Sequence, residues 1–189
     1  DLIRTFPSHK DAPLWKGMIK KYSRDYLMWM SRKNSFGIVP FGLYANQDPG
    51  GNRRAGKYWY RYFMQHEQSW WVGVNSNLAS SGIGVLKAAR VLNDPELKAL
   101  AQRQLDWITG VNPFNSSTIE GVGYNQPKHF PGSTFKPQTP VLPGAVLNGL
   151  GGDHEDQTAI GNGDWQISEY WTPMVAYTVW LMAELSGGG

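Results

Sequence analysis

Residues 93–113 read Asn-Asp-Pro-Glu-Leu-Lys-Ala-Leu-Ala-Gln-Arg-Gln-Leu-Asp-Trp-Ile-Thr-Gly-Val-Asn-Pro. Asp94 can cap a helix, and Pro95 suits the first helical turn, where its missing N–H costs nothing. Leu97, Leu100, Ala101, Leu105 and Ile108 then recur at helical spacing, and Gly110 supplies the left-handed stop. Upstream, Asn75 to Leu92 reads as another helix, with Ala79, Ser80, Ser81, Gly82, Gly84, Ala88 and Ala89 small enough for close packing. The joint at Asn93-Asp94 is so short that the two helices must form an antiparallel hairpin.

Working outward, Trp15, Met18, Ile19, Tyr22, Tyr26, Trp29 and Met30 recur at three- and four-residue steps, predicting a helix over about Pro13 to Lys33 with these residues on one face. Residues 34–69 follow as a long loop rich in Gly and Pro. Residues 112–168 read as a second long loop, crowded with Asn, Gly and Pro and lacking any sustained period. A last helix starts near Thr172-Pro173, with Met174, Val175, Thr178, Val179, Met182 and Leu185 expected inward. No internal repeat and no alternating strand pattern is visible. The class is mostly α, built from helical hairpins and long loops.

The 189 residues fit one domain, and 41% hydrophobic content supports a sizeable core. Charged residues make up only 17%, against a typical quarter, while nine Trp, nine Tyr and seven Phe are present. The absence of Cys excludes disulfides, thiolate metal sites and Cys nucleophiles. The net charge of +3 is scattered, which argues against nucleic acid as a partner. The most apolar stretch, Pro173 to Ala183, is too short to span a bilayer, so no membrane partner is expected. The opening Asp1-Leu2-Ile3-Arg4 has neither the basic start nor the apolar run of a signal peptide.

Long loops between good helices carry function more often than they merely connect. The second one, with the three residues that follow it, holds Glu120, Asp153, Glu155, Asp156, Asp164 and Glu169 with His129 and His154, among Tyr124, Phe130, Trp165, Tyr170 and Trp171. Carboxylates beside aromatic faces suit sugar chemistry, since acetal cleavage uses one carboxylic acid and one carboxylate. Asp153, Glu155 and Asp156 are also oxygen donors of the type that binds Ca²⁺, although their spacing fits no EF-hand and a solvated acidic loop is the better reading. His9, His66, His129 and His154 are too dispersed for a zinc site, and no phosphate-binding or dinucleotide fingerprint is present. No cofactor is otherwise expected.

Gln104-Leu105-Asp106-Trp107-Ile108-Thr109-Gly110-Val111-Asn112-Pro113 resembles the helix end and Gly-x-Asn-Pro turn of glycoside hydrolase family 9, the cellulase-type (α/α)6 barrels. Ser117-Thr118-Ile119-Glu120-Gly121-Val122-Gly123 resembles that family's Ser-aromatic-x-x-Gly-x-Gly, with Thr118 at the aromatic position. Gly144-Ala145 and Gly151-Gly152-Asp153 resemble its Gly-Ala-x-x-Gly-Gly-x-Asp segment. Asp164-Trp165-Gln166-Ile167-Ser168-Glu169 looks like its Asp-Tyr-x-x-Asn-Glu, which holds the general acid. Their shared order and spacing make the resemblance specific.

The resemblance implies residues 1–189 as the C-terminal portion of a single six-hairpin (α/α)6 toroid, with the N-terminal half and its catalytic Asp pair absent from this chain. It implies an inverting hydrolase of β-linked glucan or a related glycan, secreted or periplasmic, in which Glu169 is the general acid and an absent Asp is the base. Asp164 would support by hydrogen bonding. Substrate contacts would come from His129, Tyr124, Trp70, Trp71, Trp165 and Trp171. Lys128 would stand in for the cation of the family's Pro-His-His-Arg, since this chain reads Pro127-Lys128-His129-Phe130-Pro131. The partners implied are an oligo- or polysaccharide and the missing half of the domain; without that half the fragment is expected to be inactive. A non-catalytic carbohydrate-binding remnant is the alternative, and a helical scaffold without ligand is a third reading.

Overall fold

The computed structural model describes residues 1–46, 53–64, 73–132, 137–160 and 164–187. Helices dominate. A short α1 (Leu2–Thr5) precedes α2 (Ala12–Lys20), which continues without a break through a π-helical stretch, Lys21–Met28, into α3 (Trp29–Ser31). Helices α4 (Asn75–Leu92) and α5 (Pro95–Thr109) form the expected hairpin, and α6 (Trp165–Ser168) and α7 (Thr172–Leu185) close the chain. At the α4–α5 turn, Asn93 adopts left-handed φ 52°, ψ 53°, and the Asp94 side chain accepts the N–H groups of Glu96 and Leu97. Gly110 ends α5 at φ 126°.

Helix α4 lies between α5 and α7, and its buried Leu78, Ala79, Gly82, Ile83, Val85, Leu86, Ala88 and Ala89 form the middle of the core. Gly82 is needed there, because a Cβ would stand 2.8 Å from Leu181 Cδ2. Gly84, read as part of the same packing stripe, instead faces open space.

Three sequence expectations are corrected. The face predicted for the first helix is only in part the buried one: Met30 is buried and Ile19 and Tyr26 pack against the core, but Met18, Tyr22 and Trp29 are exposed, and Ser23, Leu27, Met28 and Ser31 are buried as well. The π turns hold more residues than α turns, so the inward row shifts away from the 3.6-residue register. Residues 34–69 are not loop alone, since β1 (Gly42–Tyr44), β3 (Tyr58–Arg61) and β2 (Arg53–Ala55) form an antiparallel sheet in the order β1-β3-β2. Tyr44 pairs with Trp59 on one side of β3, and Arg54 with Trp59 on the other. Strands of three or four residues are too short to display a period of two. In α7, Met174, Thr178 and Leu181 are buried and Val175 and Leu185 partly so, while Val179 and Met182 are exposed. This helix is apolar nearly all round, so its own pattern cannot choose the face that meets α4.

The long segment after α5 is ordered by isolated pairings rather than long strands. Ile119 pairs with Val122 and Val146, Leu147 pairs with Tyr170, and the two-residue strands β4 (Gly151–Gly152) and β5 (Thr158–Ala159) pair with each other. Asn112 opens it as a turn residue: its Oδ1 accepts from Phe114 and Ser116, and its Nδ2 donates to the carbonyls of Trp107 and Ser116.

Candidate functional site

Glu169 sits at the end of α6. Asp164 starts that helix, its Oδ1 accepting the Ile167 N–H at 3.0 Å. The chain then straightens, with Glu169 at φ −85°, ψ 158°. Neighbouring backbone grips this segment closely. Asn148 N–H donates to the Glu169 carbonyl at 2.9 Å, Gly149 N–H to Ile167 at 3.0 Å and Gly73 N–H to Gln166 at 2.8 Å. The Asn148 side-chain amide donates to the Trp165 carbonyl at 2.8 Å. Such crowding requires glycine: a Cβ on Gly73 would lie 1.8 Å from the Gly149 carbonyl oxygen.

Extended backbone sends alternate side chains to opposite sides. Glu169 and Trp171 accordingly share one side, where the Trp171 indole N–H donates to Glu169 Oε2 at 2.7 Å. Trp171 remains half exposed. Among the described residues, no other group meets the Glu169 carboxylate.

Tyr170 turns the other way and is partly buried. Its hydroxyl donates to Glu120 Oε1 at 3.2 Å and accepts the Leu142 N–H at 3.2 Å. Burial raises the phenol above its ordinary value; the bond from Leu142 opposes this, and the Glu120 carboxylate adds to it. Glu120 itself is 5% exposed. His129 lies against the same group, with Nδ1 3.5 Å from Glu120 Oε1, Nε2 2.9 Å from the Thr139 carbonyl and its ring 5.0 Å from that of Tyr170.

Among the other residues expected at the site, Tyr124 is open to solvent, at 77% exposure. Lys128 is exposed and Trp165 half-buried. Trp70 and Trp71 lie outside the described residues.

The acidic trio is divided among separate tasks, and the solvated acidic loop expected of it is corrected at Asp156. Asp153 Oδ1 accepts the N–H groups of Glu155 and Gln157, closing a turn. Glu155 is exposed beside His154. Asp156 is 1% exposed and belongs to the core: its carboxylate accepts the N–H groups of Tyr62 and Phe63, takes Arg53 Nε at 2.8 Å and lies 3.8 Å from Arg61 Nε. Two cations and two backbone donors occupy the oxygens a Ca²⁺ ion would need. Among the described residues, no group of three or more His, Asp or Glu gathers at metal-binding spacing.

Glu120 is the residue that reading the sequence left without a role. Its one distinguishing signal is a carboxylate inside a glycine-flanked, otherwise uncharged stretch, Ser116 to Gly123, and that does not reveal its partners 9 and 50 residues away.

A family model described as Glycosyl hydrolase family 9 matches residues 10–182. Among solved structures, the cellulase Cel9M of C. cellulolyticum resembles this chain both alone and in complex with cellobiose. Each shows 28% identity and a TM-score of 0.49, covering 61% of this chain and 29% of the cellulase. The chain thus spans under a third of the length of that enzyme. A search of curated proteins found no match.

Proposed function

This chain belongs to glycosyl hydrolase family 9, and we propose that it forms part of the catalytic domain of an inverting hydrolase of β-linked glucan, with Glu169 as the general acid. The observation that carries this reading is the presentation of Glu169. Its backbone is held by Asn148 and its Oε2 by the Trp171 indole, which leaves Oε1 to hold a proton toward a leaving oxygen. Trp171 and Tyr124 offer exposed aromatic faces for pyranose rings, Trp165 a partly exposed one, and Lys128 an exposed cation for hydroxyl or anionic substituents.

Inversion needs a second carboxylate about 6.5–9.5 Å from the acid, with room between for the attacking water. In this reading that base is an Asp outside residues 1–189, and these residues alone hydrolyse no glycan. One carboxylate cannot both protonate the leaving group and activate water on the opposite face of the sugar in a single displacement.

The test is Glu169→Gln in the full-length enzyme. The amide preserves shape but cannot donate the acid proton, so kcat on unactivated glucan should fall about 10²–10⁴-fold with little change in binding. The alkaline limb of the pH–rate profile should vanish, and substrates with activated leaving groups should be largely spared. Equal losses on both substrate types, accompanied by a lowered melting temperature, would leave Glu169 as a residue that only stabilises the end of α6.

A further inference from the structure

Behind Glu169 lies a buried polar cluster that bond cleavage itself does not use. We propose that Glu120, His129 and Tyr170 are positioning residues: the Glu120 carboxylate, packed against His129, holds the phenol that anchors the Glu169 segment from the rear. The inference rests on the reading of Glu169 as the acid.

The Thr139 carbonyl can only accept, so His129 Nε2, 2.9 Å away, carries a hydrogen. His129 Nδ1 is buried without a hydrogen-bond partner, and its polar neighbour is Glu120 Oε1 at 3.5 Å. Both side chains are largely shielded from water, at 12% exposure for His129 and 7% for Glu120, and the His129 ring also packs on that of Tyr170.

Tyr170 completes the arrangement. Because its hydroxyl accepts from Leu142 N–H, its own proton is directed at Glu120. Three stretches of chain, around Glu120, His129 and Tyr170, therefore meet at one carboxylate. The Phe130 N–H bond to the Ser168 carbonyl, at 3.4 Å, ties two of them again. Since Tyr170 and Glu169 are consecutive in extended backbone, freedom at the phenol becomes freedom at the acid. With Nε2 bonded to the Thr139 carbonyl, Nδ1 buried against Glu120 and little of its side chain exposed, His129 works on the placement of Glu169 rather than on the sugar.

The experiment separates turnover from stability. In the full-length enzyme, Glu120→Gln and Tyr170→Phe should each lower kcat on unactivated glucan about tenfold, the scale of one hydrogen bond to a charged group. KM should move less than about twofold on that scale, and activated substrates should be spared. A Tyr170→Phe enzyme with unchanged kcat would overturn the proposal, as would losses equal on both substrates and tracking melting temperature. An active Glu169→Gln enzyme would instead refute the acid reading.

Discussion

Trp171 holds Glu169 by a single bond, indole N–H to Oε2 at 2.7 Å, between side chains two residues apart on one side of an extended strand. The bond keeps the carboxylate from swinging into solvent. Trp171→Phe retains most of the ring face and removes only the donor. It should lower kcat on unactivated glucan by about tenfold, the effect of roughly 1.4 kcal/mol, while KM stays nearly constant. Trp171→Ala should raise KM as well, because the aromatic platform goes with the donor. Steady-state kinetics on both variants decide this; unchanged kcat in Trp171→Phe would show that Glu169 is held by backbone alone.

Asp156 should be the most costly surface-distant carboxylate to lose. It is buried among Arg53, Arg61 and the N–H groups of Tyr62 and Phe63, and joins the β-sheet to the segment after β4. Asp156→Ala strips the buried N–H groups of Tyr62 and Phe63 of their acceptor and takes the carboxylate from Arg53, and should cost about 3–5 kcal/mol. Asp156→Asn should cost less, because an amide oxygen still accepts from the backbone and Asn tolerates the observed φ of 61°. Chemical denaturation of the two variants would give the comparison. An Ala variant within 1 kcal/mol of wild type on that scale would mean the arginines find water instead.

Two glycines should respond in opposite directions. Gly73→Ala drives a Cβ into the Gly149 carbonyl at 1.8 Å, where backbone grips backbone next to the Gln166 contact, and should destabilise by about 4 kcal/mol or prevent folding. Gly84→Ala meets nothing within 4 Å in the middle of α4, and should stabilise by about 0.5–1 kcal/mol through helix propensity and a less flexible unfolded chain. Thermal melts of both would check the sign.

Asp94 links local and tertiary structure, capping α5 while bonding Arg24 Nε at 2.5 Å. Burial pushes its carboxyl up, but the Arg24 bond and the N–H groups of Leu97 and Glu96 outweigh this and hold it below the usual carboxylate range. Its contribution is therefore complete above the unfolded value near 3.9 and fades as pH falls through the lower folded value. Asp94→Ala should cost about 1–2 kcal/mol at pH 7, and wild type and variant should converge as pH falls below the lowered folded value. A gap that persists once the carboxyl is fully protonated would assign the loss to packing rather than charge.

What the sequence determined by itself was local. The Asn93-Asp94 joint, the Pro95 start, the Gly110 stop and the Asn112-Pro113 turn could be read directly, because a cap or a left-handed residue is decided by atoms within four or five positions along the chain. The family motifs were legible for the same reason, being short runs around such turns. Only the tertiary structure decided which side of α7 is buried, since a helix apolar all round has no preferred face until α4 and α5 present a surface. It also decided the shifted register after the π turns and the pairing of β1 and β2 with β3, whose strands are too short to declare themselves. Glu120 and Asp156 show the limit most directly. Each is one acid among several in a loop until its partners, from 9 to 103 residues distant, remove it from water. The energy of a buried charge depends on neighbours that folding alone brings together.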